Sequence, residues 1–415
     1  MKTIHDHVNL RNTGSTPVPV RIEFAHSTAM PVGVTGNFEA RHPATRSVPP
    51  LGTGGWRAAG RLLFFCMCFA GIWARGGPIV IGYTNCLAVR NYSQAQMDEI
   101  GQLKWYFTHA SVGENMMIGV AALHATNADF YQLHGVPATN TPPAVTQVGV
   151  IYEYDRGNPA WWQKCDIFKA AVTNGWRYPL VNIVMNKLCF IDYGADVASS
   201  IDYLFSQEPY FPETMYVYMT MPLTTSQDSA NYTRNLYNDT MRGWCRANNR
   251  VLFDVADIEA HDTNGAPCTF TYSGLVCQYL CPAYNASGDG GHPDSPYAQQ
   301  LLASGFYALA GTLMSVDRDG DGASDGQELI AGTRPLDRLS VFKLLSPTMV
   351  APGAALLHWS SSSNRFYTLQ RGASPMAPVS FTNLQVDAPA TPPMNTYTDS
   401  PPITGSLYYR VSVRQ

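Results

Sequence analysis

Between residues 95 and 315, short apolar runs alternate with segments of helical spacing, and that alternation restricts the chain to very few architectures. The runs fall at 104–108, 148–154, 180–185, 215–221 and 250–255. Most are continuously apolar, as strands become when helices cover both faces of a parallel sheet. Between them, apolar residues recur at threes and fours. One such segment runs from Trp161 to Val172 and stops at Asn174-Gly175. Others are Val197, Ile201, Leu204 and Phe205; Leu236, Tyr237, Met241 and Trp244; and Tyr297, Leu301, Leu302, Phe306, Leu309 and Leu313. The pattern predicts a three-layer, doubly wound α/β fold, whose chemistry gathers at the carboxyl ends of the strands.

Ser111 directly follows the first of these strands, where the strand pattern gives way to a helix. Serine at a first helical turn is a common cap. Here it also occupies the place where such a sheet presents a nucleophile. Far downstream, Asp289 and His292 stand three residues apart in Gly-Asp-Gly-Gly-His. A carboxylate so placed can turn back to hold the imidazole Nδ1–H, leaving the other ring nitrogen free to take a proton from a hydroxyl. The chain order Ser…Asp…His across an α/β pattern points to hydrolysis. His261, in Glu259-Ala260-His261-Asp262, is the rival base, and His109, two residues before Ser111, is a candidate for lining the site. Trp161 and Trp162 offer a platform for a sugar or acyl group, although aromatics at helical spacing more often build a core.

With these residues in view, the chain resembles the SGNH (GDSL-like) hydrolases over roughly residues 100 to 314. That family comprises serine esterases and deacetylases with a flavodoxin-like fold. The resemblance implies a triad of Ser111, His292 and Asp289. It also implies an oxyanion hole from the Ser111 and Gly157 N–H groups and the Asn186 amide, with Gly113 or Gly175 as alternatives to Gly157. Two motifs depart from the family pattern. The usual Gly-Asp-Ser is His109-Ala110-Ser111 here, and the usual Gly-x-Asn-Asp is Val184-Met185-Asn186-Lys187.

Composition changes at Ser315. Residues 317–328 fill a twelve-residue calcium loop with Asp317, Asp319, Asp321, the Ala323 carbonyl, Asp325 and Glu328 as candidate ligands. So many carboxylates in one short loop repel one another unless a cation neutralises them. The loop resembles EF-hand and thrombospondin type 3 calcium loops, and its place at a junction predicts a structural ion; catalysis needs no cofactor. Beyond it, runs at 356–359, 366–370 and 407–413, separated by Pro, Gly, Ser and Thr, predict a small β-sandwich.

Charged residues make up 14% of the chain and the formal net charge is -4, with no basic stripe, which argues against nucleic acid as a partner. The strongest apolar run, 62–74, follows Arg57 and Arg61 and is too short to span a bilayer. With Ala-Arg-Gly-Gly after it, the run fits a secretion signal cleaved near Ala74, with an uncleaved anchor as the alternative. The expected organisation is a leader or over-called start at 1–56, a signal at 57–76, a hydrolase-like unit at 77–314, a calcium-loop linker at 315–340 and a β-module at 341–415. Export makes one disulfide among Cys268, Cys277 and Cys281 reasonable. The expected protein is a secreted or cell-surface esterase without a membrane span in its mature chain. Its added β-module favours an acylated polysaccharide as substrate. The alternatives are a lipase-like or polyester-cleaving esterase, and a non-catalytic, calcium-stabilised binding protein.

Overall fold

A computed structural model describes residues 20–22, 76–351, 354–374, 381–400 and 407–415. The expected leader and signal therefore lie outside the described residues, except for the three-residue strand β1 (Val20–Ile22) and residue 76.

Seven strands form one parallel sheet: β2 (Ile79–Ile81), β3 (Trp105–His109), β4 (His134–Pro137), β5 (Val150–Asp155), β6 (Ile183–Asn186), β7 (Met215–Met219) and β8 (Val251–Phe253). Their spatial order is β2-β8-β7-β6-β3-β5-β4. The period-two alternation of each strand separates two cores. Trp105, Phe107, Ile183, Met185, Val217 and Phe253 face one way. They meet α1 (Tyr83–Ala88), α2 (Gln94–Ile100), α3 (Val112–Thr126) and α8 (Pro296–Leu313). Tyr106, Val184, Tyr216, Tyr218 and Leu252 face the other way. They pack on α4 (Trp161–Asn174), α5 (Val197–Phe205) and α6 (Ser229–Ala247). Both faces are covered, which is why the central strands read as unbroken apolar runs.

Several strand ends shift from the sequence expectation, two of them for clear local reasons. The run at 180–185 begins its strand only at Ile183, because the amides of Leu180 and Val181 bond back to the Arg177 carbonyl in a turn. The run at 250–255 stops at Phe253, because the Asp254 carboxylate accepts from the Asp257 amide and starts α7 (Val255–Glu259). A hairpin, β9 (Thr269–Tyr272) and β10 (Leu275–Gln278), follows and is closed at its base by a disulfide between Cys268 and Cys281.

After α8 the acidic loop leads into α9 (Asp325–Ala331) and two small antiparallel sheets. One holds β11 (Thr348–Ala351), β12 (Ala354–Ser360) and β15 (Met394–Asp399). The other holds β1, β13 (Phe366–Gly372), β14 (Thr382–Pro389) and β16 (Leu407–Arg414). Trp359 of the first meets Tyr367 of the second edge to face, and Arg371 pairs with Asp399 between them.

The sheet order positions the site. From β3 the chain runs out to the edge strand β4, returns to β5 beside β3, and then crosses to β6 on the other side of β3. The loops leaving the carboxyl ends of β3, β5 and β6 thus diverge around a crevice, the usual location of ligands in such sheets.

Candidate active site

Ser111 sits at this switch point, as the residue immediately before α3 and two residues after β3. Its backbone adopts φ 59 and ψ -114, a conformation that non-glycine residues rarely accept and that costs on the order of 1–3 kcal/mol. The sharp turn leaves its hydroxyl clear of the helix, and Ser111 makes no side-chain cap to α3. A Cβ on Gly113 would lie 2.3 Å from the Cβ of His109, so the first turn of α3 can approach the strand end only with glycine there.

The closing residues come from the loop before α8. Ser111 Oγ lies 2.5 Å from His292 Nε2. His292 Nδ1 is hydrogen-bonded to Asp289 Oδ2. An ionised carboxylate only accepts, so Nδ1 carries the proton, and Nε2 accepts from the serine hydroxyl. Asp289 is anchored in turn: its Oδ1 accepts from the Gly291 amide at 2.9 Å, the His292 amide at 3.0 Å and Asn285 Nδ2 at 2.8 Å. Desolvation works to raise this carboxyl, but the Gly291, His292 and Asn285 hydrogen bonds outweigh it and hold it well below the usual carboxylate range. Asn285, which sequence reasoning passed over, also donates to the His292 carbonyl and accepts from the Gly290 amide, closing the loop on itself. Phe190 packs edge-on against the His292 ring, and Cys189 Sγ lies 3.6 Å from Ser111 Oγ.

His261, the rival base, and His109, the site-lining candidate, each have other partners. His261 stacks on Tyr83 and bonds to the Asp257 carbonyl at 2.7 Å. His109 is buried and pairs with Glu153 at 2.6 Å.

Asn186 ends β6 in register with Thr108 of β3, next to the serine turn. Its Oδ1 accepts from Thr108 Oγ1 at 2.8 Å and from Arg156 Nη2 at 3.2 Å. Arginine has donors only, so the atom facing it is the oxygen, and the Asn186 Nδ2 points away from it. Among the described residues, none accepts from that nitrogen. The Gly157 N–H, by contrast, already donates to Asp155 Oδ1 at 3.0 Å. Gly175 caps α4 at its far end, and Gly113 lies in the first turn of α3. Trp161 is partly buried against the core, whereas Trp162, in the first turn of α4, is 52% exposed.

The acidic loop is a separate site. Asp317, Asp319 and Asp321 bring their carboxylates within 4.8 Å of one another. Gly322 has φ 104 and donates its amide to Asp317 Oδ2, a turn that a side chain would strain. The Asp319, Asp321 and Glu328 carboxylates each keep a buried oxygen without a hydrogen-bond partner. Burial and mutual repulsion push Asp319 up to about 7 and Glu328 up to about 10. Orphaned, crowded acceptors of this kind fit a hard divalent cation. Asp325 stands apart from the trio. Its carboxylate is taken by the guanidinium and backbone N–H of Arg318 in a buried pair, which leaves it little capacity to act as a ligand. Ala323 donates its amide to Asp321 Oδ1.

A cleft of about 340 Å³, lined in part by Phe205, Tyr216, Arg250, Arg318 and Leu336, opens at the amino ends of β7 and β8, the opposite end of the sheet from Ser111. It contains none of the residues singled out for chemistry.

Residues 317–337 match the family model of the bacterial TSP3 repeat, a calcium-binding type of motif. No curated relative matches the sequence. Among solved structures, the chain is similar to one described as "a putative platelet activating factor from Streptococcus pneumonia". The identity is 13%, with 54% of this chain and 90% of that chain covered and a TM-score of 0.29. It is also similar to a xyloglucanase of glycoside hydrolase family 44 from Paenibacillus polymyxa. There the identity is 10%, the coverage 74% and 62%, and the TM-score 0.14. At these scores neither likeness carries an argument about activity.

Proposed function

We propose that this chain is an exported serine ester hydrolase of the SGNH type, with residues 77–314 as its catalytic unit. The observation that carries the reading is the continuous hydrogen-bond chain from Ser111 through His292 to Asp289, starting from a strained serine at the switch point of the sheet.

In this reading Ser111 Oγ attacks the ester carbonyl while His292 Nε2 takes the hydroxyl proton. Asp289 stabilises the resulting imidazolium and keeps the proton on Nδ1. Negative charge collects on the carbonyl oxygen, which the Ser111 N–H and the Asn186 amide receive. The Gly157 N–H joins them once Asp155 releases it. Collapse of the adduct expels the alcohol, protonated by His292, and leaves Ser111 acylated. Water, deprotonated by the same ring, then releases the acid and restores the hydroxyl. Donors of this kind are each worth on the order of 10²–10³ in turnover.

The calcium loop and β-module are assigned structural and surface roles, and the natural substrate class is an acylated polysaccharide outside the cell. No described helix is long and apolar enough to cross a membrane. Profiling turnover across nitrophenyl esters of increasing chain length tests the assignment. A deacetylase loses rate steeply beyond short acyl groups, while a lipase-like enzyme gains it. Ser111→Ala should abolish turnover in either case; a variant as active as wild type, with the same melting temperature, would remove the proposal.

A further inference from the structure

At the strand ends beside Ser111, the buried cation Arg156 has no catalytic assignment. Arg156 is 8% exposed and sits at the end of β5. Its backbone N–H donates to the His109 carbonyl at 3.0 Å, at the end of β3. Its Nη1 donates to the Gly157 carbonyl at 3.0 Å, in the loop after β5. Its Nη2 reaches the end of β6, donating to Asn186 Oδ1 and to the Lys187 carbonyl. One residue therefore ties together the three strand ends that surround the nucleophile. Every named partner is a neutral oxygen. Among the described residues no carboxylate forms an ion pair with Arg156, and its Nε is buried without a partner. A charge buried this deeply is costly, the Asp192 and Asp155 carboxylates act on it without a direct ion pair, and its position calls for a compensating use.

Building on the esterase reading, we propose that Arg156 is a positioning residue for the oxyanion site, holding the Asn186 amide so that its Nδ2 faces the oxygen of an ester bound at Ser111. The guanidinium acts in two ways. It fixes the amide plane by claiming Oδ1, so that no rotation can present an acceptor to the developing oxyanion. It also draws electron density toward Oδ1, which strengthens the Nδ2–H groups as donors. Both effects grow as the carbonyl oxygen becomes negative, so they act on the transition state more than on substrate binding. Thr108 Oγ1 provides the second hold on the same oxygen.

The test uses the full chain and nitrophenyl acetate. Arg156→Met keeps the length of the side chain and removes its donors. It should lower kcat on the order of 10- to 100-fold while KM stays within about twofold, with partial recovery in Arg156→Lys. Asn186→Ala should lose a similar factor, and the combined variant should be no slower than the slower single variant. Losses that multiply would overturn the proposal, since Arg156 would then act independently of Asn186. So would a kcat for folded Arg156→Met within about threefold of wild type. If the melting curve shows that Arg156→Met does not fold, Thr108→Val carries the test, because it is isosteric and removes the other donor to Oδ1. It should lower kcat about three- to tenfold at constant KM, and an unchanged kcat would count against the proposal. A wild-type protein that neither turns over the ester nor reacts with a fluorophosphonate would overturn the esterase reading itself, a failure distinct from those of the variants.

Discussion

Asp289, the proposed orienting carboxylate, is a solvent-facing residue held firmly in place. Its side chain is 43% exposed, yet one oxygen takes three donors and the other holds the imidazole. Because its carboxyl lies well below the usual range, it stays ionised under mildly acidic conditions. Asp289→Asn removes the acceptor for Nδ1–H and permits the wrong tautomer. Turnover should fall on the order of 10³- to 10⁴-fold, with little change in KM or melting temperature, measured by steady-state kinetics and a thermal scan. At this scale the sequence was informative where chemistry follows spacing. A carboxylate three residues before an imidazole can reach its Nδ1, and Ser111 stood where a strand met a helix. Spacing could not reveal Asn285 or Arg156. Their roles depend on which carbonyls and amides the folded loops bring within reach, and neither carries a motif.

At the scale of elements, Glu259 at the end of α7 joins the loop after β7 to the disulfide hairpin. Its Oε2 accepts from the Leu223 amide at 2.7 Å, and its carbonyl accepts from the Cys281 amide. Burial pushes its carboxyl from 4.5 up to about 8, against the Leu223 hydrogen bond and the Lys187 and Arg234 charges, which pull it down. Between those values the folded state keeps a proton that the unfolded chain releases, so stability falls as pH rises through the window and is fully present below it. Melting temperature should therefore decline from about pH 5 to about pH 8, and Glu259→Gln should flatten that decline. A wild-type profile already flat over this range would contradict the account. The central strands were legible as elements because burial on both faces writes a continuous apolar run. Edge elements were not. β4 reads His-Gly-Val-Pro and is half-exposed, and β14 mixes polar with apolar residues on an open face. Neither has the burial that would leave a pattern.

Across the whole molecule, the two special sites lie at opposite ends of the sheet. Ser111 stands at the carboxyl ends of the strands, while the acidic loop docks near the amino ends. There Arg318 donates to the Asn249 carbonyl just before β8, and Asn182, just before β6, donates to the Leu329 carbonyl of α9. From there the β-module is fastened on: the buried Arg365 donates to the Leu329 and Ile330 carbonyls, and Gln415 donates to Asn182 Oδ1. A cation bound in the loop would therefore act on this junction, remote from Ser111. Chelation should lower the melting temperature by roughly 5 °C or more relative to protein in calcium a hundredfold above its Kd, while kcat well below the melting point changes little. Immediate loss of turnover with an unchanged melting curve would place the ion in the chemistry instead. The central claim, that Ser111 is activated by His292, is tested most directly by reacting the folded protein with a fluorophosphonate and locating the modified residue by peptide mass spectrometry. The account predicts one adduct, on Ser111, absent when His292 is replaced by alanine; an adduct on another residue, or none on active protein, would contradict it.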